Sequence, residues 1–333
     1  MNEMKYHGEA FFVELGRMII QARRYFMRRV IFLSLFLVLL CGCSKEESAI
    51  KEKTILFATP LKEHEVWLKA KEGFEQACAD NNLNCEWQGP VVIDTVEMDN
   101  TIEAGIMQRV DGIITQGVVS EELVNRAVDQ NIPVVLVDSD MPDSKRIFYM
   151  GKDFHLQAQM LLEDIEKRFG KECHLKIAVQ VADASFDIAK DQIGEIESVF
   201  SGHLGGYEIV SVSQSRSDSV RAKKEWEQVL AAESDINIAI NFAGESAPFC
   251  AEAAKELNMR EQMLIYGVDD LDSTLKGVKS GDIDGTVVTS FYDYGYESVE
   301  IILDYLDDGM LERDYSAKLE LLTEENIAEY EKK

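Results

Sequence analysis

Cations are scarce in this sequence. Its 333 residues carry 34 Lys and Arg against 61 Asp and Glu, a formal net charge of −27. Proteins that hold nucleic acid need a basic face for the phosphates, so this balance argues against that class. Its plain meaning is a well-solvated acidic surface; an acidic field that selects cationic ligands is the alternative. Catalytic motifs are missing too. There is no Gly-x-Ser-x-Gly, no P-loop, no Gly-x-Gly-x-x-Gly and no His-Glu-x-x-His. The five histidines, His7, His64, His155, His174 and His203, have no metal-ligand spacing. No catalytic residue, metal or cofactor is therefore expected. Carboxylates abound, so composition leaves a glycoside-hydrolase pair open. The apolar run Val30–Leu40 is about half the length of about twenty residues that a helix needs to cross a bilayer.

That run has another meaning. Arg28-Arg29 precede it and Leu40-Cys41-Gly42-Cys43 ends it. A basic flank, a short apolar core and a small residue before the cut describe a secretory leader. Leu-x-Gly-Cys resembles the bacterial lipobox. The resemblance implies cleavage before Cys43, lipidation of that cysteine and attachment to the outer face of a bacterial membrane. The region ahead of the core is long for a leader, and Met27 followed by two arginines makes a conventional start. Ser44–Lys53 is charged and lacks a core pattern, as a tether between lipid and domain would.

At 46% hydrophobic, the chain can fill two cores. The stretch Val110–Asp140 shows how. Val110–Thr115 is apolar without alternation, the mark of a strand buried on both faces. Ser120 is placed to cap a helix, with Glu121 and Glu122 in the first turn, where the helix dipole favours them. Leu123, Val124, Ala127 and Val128 make one apolar face. Asn131-Ile132-Pro133 stops the helix, and Val134–Val137 is a second buried strand. Two such strands joined by a helix imply a parallel sheet. Ligands bind such sheets at the carboxyl ends of the strands, here Gln116-Gly117 and Asp138-Ser139-Asp140.

The same alternation runs through the rest. Thr54–Thr59 is a strand and Glu65–Asn82 a helix. Cys85–Gln88 is a weak strand and Thr101–Arg109 a short helix. Arg146–Gly151 is a strand, and Asp153 caps a helix to Phe169. Further strands are expected at Leu175–Val181, Tyr207–Val212, Ile236–Ile240 and Met263–Tyr266, with helices at Ile188–Phe200, Ser217–Ala232 and Ser246–Leu257. Cys78 and Cys85 lie at a helix end and the next strand start. They are either a disulfide, allowed outside the cytoplasm, or two small buried thiols.

Three stretches carry a family resemblance: the Asp-Gly-Ile-Ile…Asn-Ile-Pro-Val-Val…Val-Asp pattern, Leu264–Gly295 (LIYGVDDLDSTLKGVKSGDIDGTVVTSFYDYG), and Leu321–Tyr330. Together they resemble the type I periplasmic sugar-binding proteins, which share their fold with the ligand domains of LacI-type repressors. The resemblance covers about Thr54 to Tyr330. It implies an α/β fold of two Rossmann-like lobes with parallel sheets, joined by a three-crossing hinge. The implied divisions are a leader over 1–42 and a tether over 43–53. An amino-terminal lobe follows over 54–151 plus 290–312, then a carboxyl-terminal lobe over 152–289. A last crossing and tail occupy 313–333. A helix at about Tyr292–Leu306 is expected to return to the first lobe.

Carried over position by position, the resemblance implies a ligand site of His64, Trp67, Asp138, Asp191, Asp269 and Thr289, and the strand ends add Gln116, Asp183 and Phe186. Asp138 and Asp269 match aspartates that accept hydrogen bonds from sugar hydroxyls. Trp67 is either a ring that stacks on a sugar face or core packing. Asp183 and Phe186 are either an acceptor and an aromatic wall or a loop cap and core. Several positions depart from the family. Ser139 and Asp191 stand where ribose-type members carry arginines, Gly244-Glu245 replaces Asn-Asp, and Thr289 replaces a glutamine. Losing two arginine forks and gaining an acid changes the site's chemistry. It points away from a ribose or glucose held in the standard manner and toward a polyol, amino sugar or other hydroxyl-rich small molecule, with or without a positive charge. The implied function is a lipid-anchored, extracytoplasmic solute-binding protein that presents its ligand to a membrane permease of an ABC importer. The alternatives are a sensor that signals to a membrane histidine kinase or chemoreceptor, and a surface hydrolase. A repressor is disfavoured, because a leader stands where a DNA-binding motif belongs.

Overall fold

The computed structural model describes residues 52–309 and 317–330, together with Met18, Arg23 and Met27. The leader, the lipobox with Cys43 and most of the tether lie outside the described residues. Glu52–Lys333 forms one compact unit.

Two sheets organise that unit. The first has the order β2-β1-β3-β4-β5, built from β1 (Thr54–Ala58), β2 (Asn84–Gln88), β3 (Gly112–Gln116), β4 (Val134–Val137) and β5 (Phe148–Met150). All its pairings are parallel. The second has the order β11-β10-β9-β8-β6-β7, from β6 (Leu175–Val181), β7 (Tyr207–Gln214), β8 (Ile238–Asn241), β9 (Leu264–Val268), β10 (Gly285–Val288) and β11 (Glu320–Leu322). It is parallel except for β11, which runs antiparallel to β10. Every residue of β3, β4, β8, β9 and β10 is buried. Helices cover both faces, so the central strands read as unbroken apolar runs.

The first lobe carries α1 (Glu65–Asn81), α2 (Thr95–Gln108) and α3 (Glu121–Asp129); the second carries α4 (Phe154–Phe169), α5 (Asp187–Phe200), α6 (Ser219–Ala232), α7 (Ser246–Glu256) and α8 (Asp272–Ser280). The last helix, α9 (Phe291–Asp308), follows β10 of the second sheet and packs against α1 of the first. Glycines permit that contact. A Cβ on Gly73 would lie 2.0 Å from the Tyr292 carbonyl oxygen, and one on Gly295 would lie 1.9 Å from that of Ala70. The chain then returns to the second sheet as β11.

One element departs well beyond its sequence-based bounds, while the other expected elements fall within two residues of theirs. α2 starts six residues earlier than Thr101, because Asp94 caps it by accepting the Glu97 N–H at 3.0 Å, and because Met98 shares the buried face of Ile102 and Ile106. Of the expected 146–151 strand, Phe148–Met150 forms β5, and the Ile147 N–H just ahead of it still donates to the Val134 carbonyl at 2.9 Å. Ser120 does precede α3, but its side chain makes no cap bond; its N–H is instead accepted by Asp99 at 2.9 Å.

Cys78 and Cys85 form a disulfide, with Cα atoms 6.3 Å apart, tying the end of α1 to the start of β2. The loop it closes is short, so the entropic model assigns it about 2 kcal/mol. Reduction is expected to lower the denaturation midpoint by a matching amount. The Cys78→Ala, Cys85→Ala double variant should melt like the reduced protein and no longer respond to reductant.

Candidate functional site

A cavity of about 100 Å³ lies between the two lobes, several times the roughly 10–15 Å³ that a water needs. It sits at the carboxyl ends of the strands. Gln116 ends β3, while Asp138, Lys152, Asp183 and Asp269 come from the loops after β4, β5, β6 and β9. Leu61, Trp67, Phe186, Phe242 and Phe291 supply much of the apolar wall.

Asp138 and Asp269 occupy equivalent places in the two sheets. Each follows its strand in left-handed backbone, with φ of 64° in both. Each donates its N–H to the neighbouring strand, Asp138 to Met150 and Asp269 to Val287, both at 2.9 Å. Aspartate tolerates that conformation better than most residues, and the turn aims its carboxylate off the sheet end.

The two carboxylates meet at one ammonium. Lys152 Nζ donates to Asp269 Oδ1 at 3.0 Å and lies 3.6 Å from Asp138 Oδ1. It also sits 5.1 Å from the centre of the Phe291 ring, within range of a cation–π attraction. Its side chain is only 5% exposed. Gln116 Nε2 donates to the other oxygen of Asp138 at 2.7 Å. Burial by itself would lower the ammonium's pKa, but Asp269 and then Asp138 outweigh it and raise the pKa above the ordinary lysine value. Burial, with the nearby Asp269 charge, raises the carboxyl of Asp138 against the opposing pull of Lys152.

Asp183 is also held. It accepts from the Ser185 N–H at 2.9 Å and its hydroxyl at 2.7 Å, and pairs with Arg216. Trp67 is buried in the core and also borders the cavity. Its ring stands edge-on to Phe57 and Phe291 at 6.3 and 5.3 Å. Gly244 lies so close that a Cβ there would meet Asp269 Oδ2 at 2.9 Å, a physical reason for no larger residue at that departure from the family pattern.

His64, Trp67, Gln116, Asp138, Asp183, Phe186 and Asp269 thus come together at the cavity. Asp191 and Thr289 do not. Asp191 is exposed on α5, and the next residue, Gln192, turns inward to line the cavity while buried. One step around a helix is about a quarter turn, enough to exchange inside for outside. Placed there, Asp191 gives no support to a positively charged ligand. Thr289 is buried, but it faces a groove beside Lys318 and Tyr330. The chain turns there into α9, and Phe291 reaches the cavity in its place. Lys152 was missed in the sequence, although Met-Gly-Lys-Asp at a strand's carboxyl end placed it. Glu245 was noticed only as a departure.

The periplasmic binding protein domain family matches residues 55–310. This chain belongs to that family. Among solved structures, this periplasmic binding protein is similar to XylFII, with 25% identity and a TM-score of 0.75, over 82% of this chain and 98% of that one. XylFII has also been solved in a XylFII-LytSN complex. GanP, a glucose-galactose binding protein from Geobacillus stearothermophilus, is 20% identical with a TM-score of 0.76, over 83% and 99% of the two chains. An ABC transporter solute-binding protein from Burkholderia graminis, in complex with D-arabinose, is 20% identical with a TM-score of 0.77, over 84% and 98%. A comparison with curated protein sequences finds no match. The family is one of binding proteins and not of enzymes, which removes the hydrolase reading, and it works outside the cytoplasm.

Proposed function

We propose that this periplasmic binding protein captures a small hydroxylated ligand of the sugar class between its lobes and delivers it to an ABC importer. One observation carries the reading: matched aspartates from the two sheets converge on one aromatic-walled cavity. Carboxylates with fixed geometry accept hydroxyl hydrogens, and aromatic rings cover the apolar faces of a sugar ring. Closing the lobes on a guest creates a surface that a membrane permease can recognise. Lipidation at Cys43 would keep the protein beside that permease.

A melting screen against monosaccharides, polyols and amino sugars tests this. A ligand that binds only the folded state raises the melting temperature with saturation. One compound class is expected to produce that rise. Asp269→Asn, which keeps the shape but weakens the acceptor, is expected to abolish it. No shift across the panel removes the proposal.

A second reading has its own support. XylFII, solved with LytSN, is among the similar structures of higher identity. In that reading the closed form signals to a membrane sensor. Chromosomal neighbours separate the two: a permease and ATPase, or a histidine kinase and response regulator.

A further inference from the structure

Many polar side chains along the cavity already have partners within the chain. Gln116 and Lys152 hold Asp138, Lys152 holds Asp269, and Ser185 with Arg216 holds Asp183. The contact between the starts of α1 and α7 differs. His64 precedes α1 in the first lobe, and Glu245 precedes α7 in the second. Nε2 of His64 and Oε2 of Glu245 stand 4.0 Å apart, too far for a hydrogen bond. Glu245 is 7% exposed. Its Oε1 is buried without a hydrogen-bond partner, and so is Nδ1 of His64. Both residues line the cavity. Buried polar atoms nearly always have partners. The atoms that approach each other are Nε2 and Oε2; Oε1 and Nδ1, one from each lobe, stay unpartnered on residues that line the cavity, as in a site awaiting a polar guest.

We propose that His64 and Glu245 are the specificity pair of the cleft, and that a hydrogen-bond donor on the ligand, a hydroxyl or an amine, is held between them. This rests on the reading of the cleft as a sugar-class site. A carboxylate only accepts, so the ligand must donate to it. The dipole of α7 favours a negative charge at that end. The imidazole makes the second bond through Nδ1, as donor or acceptor according to its tautomer. A guest that satisfies both atoms also links the lobes, which couples recognition to closure. A pair built this way rejects an analogue without the donor, since its own atoms then stay unpaired.

Two measurements on the purified protein test the pair. The first is thermal melting of Glu245→Gln and Glu245→Leu without ligand. Melting temperatures equal to or above wild type are expected, because the free oxygen holds nothing in the fold. A fall of several degrees in both variants overturns the proposal. The second is calorimetric titration with D-xylose, D-galactose, D-galactosamine and D-fucose as probes. Whichever probe binds the wild type is expected to lose at least tenfold in affinity with Glu245→Leu and with His64→Ala; unchanged affinity overturns the proposal. Tighter binding of D-galactosamine than D-galactose identifies the donor as an amine, and the reverse identifies a hydroxyl. A wild type that binds none of the probes instead overturns the sugar-class reading, and the melting comparison still decides whether Glu245 is structural.

Discussion

Lys152→Met is expected to destabilise the protein by about 3–5 kcal/mol, because it leaves two buried carboxylates facing each other without their cation. The methionine keeps most of the volume, so the loss is electrostatic. Chemical denaturation measures it. The pH dependence carries the sign of the cause. Asp138 is already raised above the ordinary carboxylate value of 3.8 by burial and by Asp269, and Lys152 opposes that rise most, with help from the Gln116 hydrogen bond. Without the ammonium its pKa climbs further. A carboxyl raised in the folded state costs stability only where it must ionise, above its unfolded pKa. The variant's deficit should therefore shrink as pH falls from neutrality toward the acid range. In the wild type, the raised Lys152 contributes stability that is fully present below the ordinary lysine value of 10.5 and is lost as pH rises through its higher folded value. A pH-independent deficit in Lys152→Met would mean that packing, and not charge, explains the residue.

Gly295→Ala is expected to cost about 3 kcal/mol or more, for a different reason. Its new methyl would meet the Ala70 carbonyl oxygen at 1.9 Å and the Phe74 nitrogen at 2.6 Å, both in the backbone of α1. No rotamer relieves a clash with backbone, so α1 and α9 must move apart, and overpacking of this kind is costly. The same helix pair joins the end of the second sheet to the first lobe, so ligand-driven closure should suffer with it. Gly194→Ala is the control. Gly194 is exposed on α5 with open space around the added carbon. There the substitution removes glycine's backbone freedom from a helix and is expected to stabilise by about 0.5–1 kcal/mol. Denaturant midpoints of the two variants should move in opposite directions. The packing demand at Gly73, where the Tyr292 oxygen is 2.0 Å from an added Cβ, predicts the same loss from the α1 side of the contact.

Most of the fold was legible because its signals are local. The apolar runs that became β3, β4 and β9 are short, unbroken and followed by turn residues, a pattern that only a strand covered on both faces requires. The start of α2 was hidden because its cap, Asp94, follows the apolar Pro90-Val91-Val92-Ile93 run, whose residue types read as strand material although the chain bends at Val91 and Val92. The candidate site was legible at the aspartates, since the carboxyl ends of strands can be found once the strands are placed. It was not legible at Asp191, where one residue of helix register separates solvent from the cavity. The Cys78–Cys85 alternatives were likewise undecided by spacing; the positions of α1 and β2 bring the two residues together.

The sequence alone therefore determined a doubly wound α/β chain of binding-protein type, through hydrophobic period, turn residues and family pattern. Only the tertiary structure decided what the conspicuous acids do. Asp138 and Asp269 are far apart in the chain, and only the meeting of the two lobes puts Lys152 between them. The same meeting leaves Glu245 and His64 with unpartnered atoms. Secondary structure follows from neighbours along the chain. Whether a buried charge is compensated or left open depends on groups distant in sequence, brought within a few ångströms by the packing of α9 on α1 and the closing of one sheet end toward the other.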